Sequence, residues 1–152
     1  MLVIDTNIVL DLWVFQDPAT QALHDALRTG QCRWLWTAEM GDELVRVLGY
    51  PKIARRMAAN GLLADALLVD IASHSSLVPS ASAARVRCAD PDDQKFIDLA
   101  IHLAAHRPAV DGLGVLLLSK DQAVRCLAKP LLAQGVTVSA IFPATYGLPV
   151  PP

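Results

Sequence analysis

Short apolar runs, each closed by a polar residue, set the rhythm of this chain. Leu2 to Ile4 is apolar and ends in Asp5, which reads as a buried first strand. Ile8 to Phe15 is apolar nearly all round, the pattern of a buried helix. Pro18 opens a further helix to about Arg28, with Gly30 as its stop. Cys32 to Trp36 is a second strand candidate, and Thr37 stands where it can cap a helix running to about Leu48, ahead of Gly49 and Pro51. Two helices follow, Pro51 to Asn60 and Leu62 to Ser73, split by Gly61. Leu77 and Val78 suit a short strand, and Ser80 to Ala84 a loop. Phe96, Ile97, Ala100, Ile101 and Ala104 form one apolar stripe on a helix from Asp92 to about His106. Val115 to Leu118 is the clearest buried strand, followed by a short helix from Asp121 to about Ala128 and a last strand from Val136 to Ile141.

Strands alternating with helices predict an α/β fold, a parallel sheet with helices on both faces. Ligands of such sheets sit outside the carboxyl ends of the strands. The 152 residues suit one domain, expected over residues 1–142. Pro143, Pro149, Pro151 and Pro152 make residues 143–152 an extended, frayed tail. Hydrophobic residues make up 53% of the chain, enough for a sizeable core and too many for global disorder. No apolar run is long enough to span a bilayer and no basic leader precedes the first strand, so neither a membrane nor a secretory role is expected. Cys32, Cys88 and Cys126 are odd in number and widely spaced, which suits reduced, buried thiols in the cytoplasm.

The net charge of −2 argues against coating nucleic acid by bulk charge and leaves room for a local basic rim. Of the 15 acids only Glu39 and Glu43 are glutamates. An Asp excess points to caps, loop ends or metal sites. Asp5 and Asp121 both fall at carboxyl ends of inferred strands; an Asx-turn and a helix N-cap are their ordinary explanations. Glu43 shares a helix face with Met40 and Val47, a costly place for a carboxylate without a compensating cation. Asp42 faces Arg46 as a surface pair. Asp93 lies on the buried stripe of its helix, crowded by Asp90 and Asp92; such a cluster either caps the helix or awaits a cation. Asp98 lies on another face and reads as surface. Together the four carboxylates of Asp5, Glu43, Asp93 and Asp121 reach one rim of one sheet, and hard oxygen donors of this kind suit Mg²⁺ or Mn²⁺. A site of that sort can clamp a phosphodiester, activate water and stabilise a leaving oxygen.

These residues resemble the PIN-domain nucleases, and most closely the bacterial branch of toxins from toxin–antitoxin systems. Val3-Ile4-Asp5-Thr6-Asn7 resembles the family's opening strand and first acid, and Glu43 to Lys52 its second-acid helix with the following Pro-Lys. Asp90 to Phe96, with Ala100, resembles the third-acid segment, and Leu117-Leu118-Ser119-Lys120-Asp121 the fourth. The resemblance covers roughly residues 1–142. Ser119 stands where Thr is usual, and Ala123 where a second acid often follows. The resemblance implies a three-layer α/β/α fold and metal-dependent cleavage of RNA, with Asp5, Glu43, Asp93 and Asp121 around the metal and Asn7 and Ser119 orienting them. It also implies a small antitoxin protein as partner.

An anionic site must still attract an anionic chain. Arg46 and Lys52, with Arg55 and Arg56, could form a phosphate rim, and Lys95 and Lys120 adjoin two of the acids. Aromatics are only 5% of residues, and Trp34 and Trp36 suit a core or interface better than base stacking. A haloacid-dehalogenase-like phosphatase needs an acid where Asn7 stands. A zinc hydrolase would need a Glu between His102 and His106 that the chain lacks. The serious alternative is a PIN-like module that binds RNA or protein with little or no cleavage. The apolar helices leave room for a homodimer.

Overall fold

The computed structural model describes residues 1–106, 114–143 and 146. Five strands form one parallel sheet: β1 (Leu2–Ile4), β2 (Trp34–Trp36), β3 (Ser75–Leu77), β4 (Val115–Leu118) and β5 (Val136–Ser139), in the order β3-β2-β1-β4-β5. Alternation along each strand decides which layer a side chain joins. Leu2, Ile4, Trp34, Leu116 and Leu118 face one core; Val3, Leu35, Val115 and Leu117 face the other.

Helices cover both faces, giving the three-layer α/β/α arrangement. The first core is roofed by α1 (Thr6–Leu10), α2 (Gln21–Arg28), α4 (Pro51–Ala59) and α5 (Ala64–Ser73). The second is covered by α6 (Gln94–His106), α7 (Gln122–Arg125) and α8 (Ala128–Leu132). Helix α3 (Ala38–Leu48) serves both, with Leu44 and Leu48 in the first core and Met40 in the second. The order reverses around β1: the chain builds β2 and β3 on one side, then crosses to β4 on the other. A crevice opens at such a reversal, beyond the carboxyl ends of β1 and β4.

Several elements differ from the sequence expectation. The helix expected over Ile8 to Phe15 starts earlier, at Thr6, because Asp5 caps it by accepting from the Asn7 amide. It then widens into a π-helical turn over Asp11–Phe15, which ends at Gln16 in the left-handed region, φ 53. Thr37 does not cap α3; its hydroxyl is buried and has no hydrogen-bond partner among the described residues. Helix α8 was not expected; it is only five residues long and carries Pro130 in its first turn, where no intrahelical N–H bond is lost. Gly30 and Gly61 do stop their helices, at φ +71 and +66, a conformation that suits glycine.

Asp98 is not a free surface acid: it accepts from the Ala84 amide at 2.8 Å and from Gln94 Nε2 at 2.7 Å, tying the loop before α6 to that helix. Cys32 is buried as expected, but Cys126 is exposed; all three thiols are free. Among the described residues no helix is long and apolar enough to cross a membrane. Most of the tail expected over 143–152 lies outside the described residues. Within it, the Tyr146 hydroxyl accepts from the Met1 ammonium at 2.8 Å and donates to the Met1 carbonyl at 3.0 Å.

Candidate active site

Asp5 follows β1 directly and is nearly inaccessible, 4% exposed. Its backbone continues the ladder onto β4 through the Leu118 carbonyl, 2.9 Å away. Three donors hold its carboxylate: Ser119 Oγ at 2.5 Å and Asn7 Nδ2 at 2.7 Å on Oδ2, and the Asn7 amide at 3.3 Å on Oδ1. Burial pushes the Asp5 carboxyl above the usual range; Glu43 adds to this, while the bonds from Ser119 and Asn7 oppose it. Asn7 also accepts from the Lys120 amide at 3.1 Å, so one side chain links the loops after β1 and β4.

Ser119, fully buried, sits just beyond β4 and serves two acids. Its hydroxyl donates to Asp5 and accepts from the Asp121 amide at 3.0 Å. Asp121 is exposed and caps α7 through the Ala123 amide at 2.7 Å, so its ordinary capping role is real.

Asp93 closes the 3₁₀ turn Pro91–Asp93 that leads into α6. Asp90, and not Asp93, provides the cap, accepting from the Asp92 amide at 2.9 Å. Asp93 Oδ2 is buried with no hydrogen-bond partner among the described residues. Its carboxyl is pushed up to about 7, first by burial and then by the charges of Asp5, Asp121 and Asp90, against the pull of Lys95. Three acids from separate segments thus feel one another.

Glu43 projects from the middle of α3. Thr6 Oγ1 donates to Oε1 at 2.6 Å, and Lys95 Nζ pairs with Oε2 at 2.5 Å. The cation that a carboxylate on this apolar face requires therefore comes from α6. Lys95 also donates to the Asp92 carbonyl. Among the described residues no group of three or more His, Cys, Asp or Glu side chains stands in the spacing one metal ion needs. The bonding explains this: Glu43 is held by Thr6 and Lys95, and Asp5 by Asn7 and Ser119.

The remaining basic residues divide. Arg46 lines an open cleft of about 390 Å³ with Glu39, Asp42, Glu43, Asp92 and Lys95. Lys52 lies apart, in a hollow with Phe15, Arg55 and Arg56. Lys120 turns away from the acids of the crevice: its ammonium is 2.6 Å from Asp11 and 3.5 Å from Asp17. Thr6, Asp11 and Asp17 were not singled out from sequence. Thr6 was visible only as the neighbour of Asp5; nothing local ties Asp11 or Asp17 to Lys120. His102 and His106 stack at 4.2 Å on the exposed side of α6, away from any third ligand among the described residues. Trp34 is buried, 5.6 Å from Trp13, as a core residue should be.

No curated protein matches the chain closely enough to count as a relative. A family model described as PIN domain, in general a fold of metal-dependent nucleases, matches residues 1–106. That span holds Asp5, Glu43 and Asp93 in the order and setting described above, and ends before Asp121. With a parallel five-stranded sheet that places the first of these acids at its crevice, the chain belongs to the PIN-domain family.

Proposed function

We propose that the chain is a metal-dependent endoribonuclease in which Asp5, Glu43, Asp93 and Asp121 hold Mg²⁺ or Mn²⁺, with Asn7 and Ser119 orienting the acids. One observation carries this reading: the buried Oδ2 of Asp93, without a hydrogen-bond partner among the described residues, on a carboxyl pushed up to about 7 by burial and by the charges of Asp5 and Asp121. A buried carboxylate oxygen without a donor is costly, and such an atom asks for an explanation. A divalent cation would satisfy that oxygen and turn the mutual repulsion into attraction. The donors are all hard carboxylate oxygens, which fits Mg²⁺ or Mn²⁺ and disfavours ions that prefer thiolate or imidazole. When bound, the ion would supply Lewis acidity toward a phosphodiester and make a coordinated water more acidic. The chain's own part is positional. Ser119 and Asn7 hold Asp5 in one orientation, Thr6 holds one oxygen of Glu43, and Arg46 and Lys95, which line the cleft beside Glu43, are the proposed phosphate contacts; of the other two expected from sequence, Lys52 lies in a separate hollow and Lys120 is paired with Asp11 and Asp17.

The test is a Mn²⁺ titration of wild type and Asp93→Asn while digestion of pooled RNA is followed. Wild type should cut in proportion to metal occupancy, and the variant should lose on the order of a hundredfold or more. Equal digestion by both would assign the activity to a contaminant. A second reading, a PIN module that binds RNA or protein and cleaves little, draws on the Lys95–Glu43 pair, which keeps one acid engaged. RNA binding without cutting in Mg²⁺ or Mn²⁺ would favour it.

In the same proposal the enzyme is the toxin of a toxin–antitoxin pair in the cytoplasm, held by a small antitoxin protein over the acidic cleft. Expression without that partner should arrest growth; normal growth counts against it. A homodimer through exposed apolar residues such as Leu63 and Val69 belongs to the same reading, and light scattering would detect it.

A further inference from the structure

The acidic cleft carries a cation of its own. The side chains of Lys95 and Glu43 are only 16% and 15% exposed, and their charged atoms are 2.5 Å apart. The second oxygen of Glu43 is taken by Thr6 at 2.6 Å. Lys95 is held further by the Asp92 carbonyl and lies 4.8 Å from the centre of the Phe96 ring. Both oxygens of Glu43 are thus engaged, Oε1 by a neutral hydroxyl and Oε2 by the ammonium.

An ammonium and a divalent ion cannot share one carboxylate oxygen at contact distance, because their repulsion in a half-buried site exceeds what a single negative charge can offset. Occupation of Glu43 Oε2 by a metal and by Lys95 are thus alternatives. The residue type suits an exchange. Lysine is a point charge on a flexible stem, whereas arginine would clamp both oxygens of the carboxylate with its fork.

We propose that Lys95 is a displaceable internal counter-ion, a positioning residue that holds Glu43 while no divalent ion is bound and is expelled when an ion takes that carboxylate. This rests on the reading that the four acids bind a divalent ion. Expulsion frees the ammonium for the phosphate contact assigned to it above.

The test uses the full wild-type chain and no substrate. Exposed amines are acylated with N-hydroxysuccinimidyl acetate with and without saturating Mn²⁺, and each lysine is quantified by mass spectrometry. Lys52, exposed on α4, is the internal reference. Thermal melting is recorded in the same buffers. Lys95 acylation should rise about fivefold or more with Mn²⁺ while Lys52 stays constant. Thermal stabilisation by Mn²⁺ with no change at Lys95 overturns the exchange and leaves the metal reading standing. Neither stabilisation nor a change in labelling overturns the metal reading, and the exchange with it. As a second measurement, Lys95→Met should bind Mn²⁺ about tenfold tighter and Lys95→Arg more weakly than wild type. Equal or weaker binding by Lys95→Met also overturns the exchange.

Discussion

Ser119 Oγ donates to Asp5 Oδ2 at 2.5 Å, joining residues 114 apart in sequence across the crevice between β1 and β4. The same hydroxyl accepts from the Asp121 amide, so two of the four acids depend on one buried oxygen. Ser119→Ala removes both bonds and leaves Asp5 buried with Asn7 alone. A hydrogen bond to a buried charged group is worth about 1.5–3 kcal/mol, and the loss should fall in that range by urea denaturation. The Asp5 carboxyl should rise further, since the lost bond opposes its shift. Ser119→Thr keeps the hydroxyl and should recover most of the stability; similar losses in both variants would mean that space, and not the hydrogen bond, governs the site.

Stability should depend on pH in a definite direction. The carboxyl of Asp93 is raised to about 7, and that of Asp5 is also raised, so the folded chain binds more protons than the unfolded chain above the ordinary carboxylate range. Their contribution is complete below about pH 4 and is lost as pH rises through about 7. Without divalent metal, stability should therefore decline across that window. Asp93→Asn should flatten the decline and stabilise the metal-free protein at pH 8 by about 1 kcal/mol, a figure reduced for the solvent access of this group. Wild type, and not the variant, should recover at pH 8 on adding Mn²⁺, by about 2.7 kcal/mol at a hundred times the dissociation constant. Chemical denaturation at pH 5 and pH 8 checks both halves, and a flat wild-type profile would contradict them.

Thr6 fixes Glu43 from the first turn of α1. Thr6→Val preserves shape but leaves Oε1 without its donor, at a cost of about 1 kcal/mol. In a chain of this length that corresponds to a fall of about 2–4 °C in Tm. Nuclease activity should drop about tenfold as Glu43 gains freedom, while Thr6→Ser retains both properties. Loss of stability with unchanged activity would separate Thr6 from the chemistry.

Some of this was legible in the chain itself. Asp5 and Asp121 end apolar runs, so their place at strand ends follows from local pattern alone. Asp93 was legible because its spacing matches the buried stripe of the helix expected from Asp92, although the structure places it in the 3₁₀ turn that leads into α6. Glu43 was legible only as a problem, a carboxylate on an apolar face in need of a cation. That the cation is Lys95 depends on how α3 and α6 meet, which no periodicity encodes. Lys120 looked free beside Asp121, yet it pairs with Asp11, which opens the π-helical turn, and with Asp17, just beyond the end of that turn. That turn was hidden too: a π-helical segment has the same apolar content as an α-helical one. The parallel sheet and its alternating faces were foreseeable; the unpartnered Oδ2 of Asp93 was not, since it arises from packing around a single atom.

Gln16 provides a test of stored backbone strain. It ends the π-helical turn at φ 53, a conformation that costs a side chain bearing Cβ roughly 1 kcal/mol and costs glycine little. Gln16 is exposed, and the described hydrogen bonds here are made by the backbone: its own N–H, and that of Asp17 at 2.9 Å, both reach the Asp11 carbonyl. Gln16→Gly keeps both bonds and relieves the strain, offset in part by the greater entropy of glycine in the unfolded chain. The net gain should be about 0.5 kcal/mol, whereas Gln16→Val, whose branched Cβ resists the left-handed region, should lose more than 1 kcal/mol. Because Asp11 and Asp17 flank this residue and share Lys120, the glycine variant should leave Mn²⁺ binding unaltered only if the strain plays no part in presenting the crevice. Paired urea melts and Mn²⁺ titrations of the two variants would decide it, and a glycine variant that gains stability but binds Mn²⁺ more weakly would show that the strained turn works for the site.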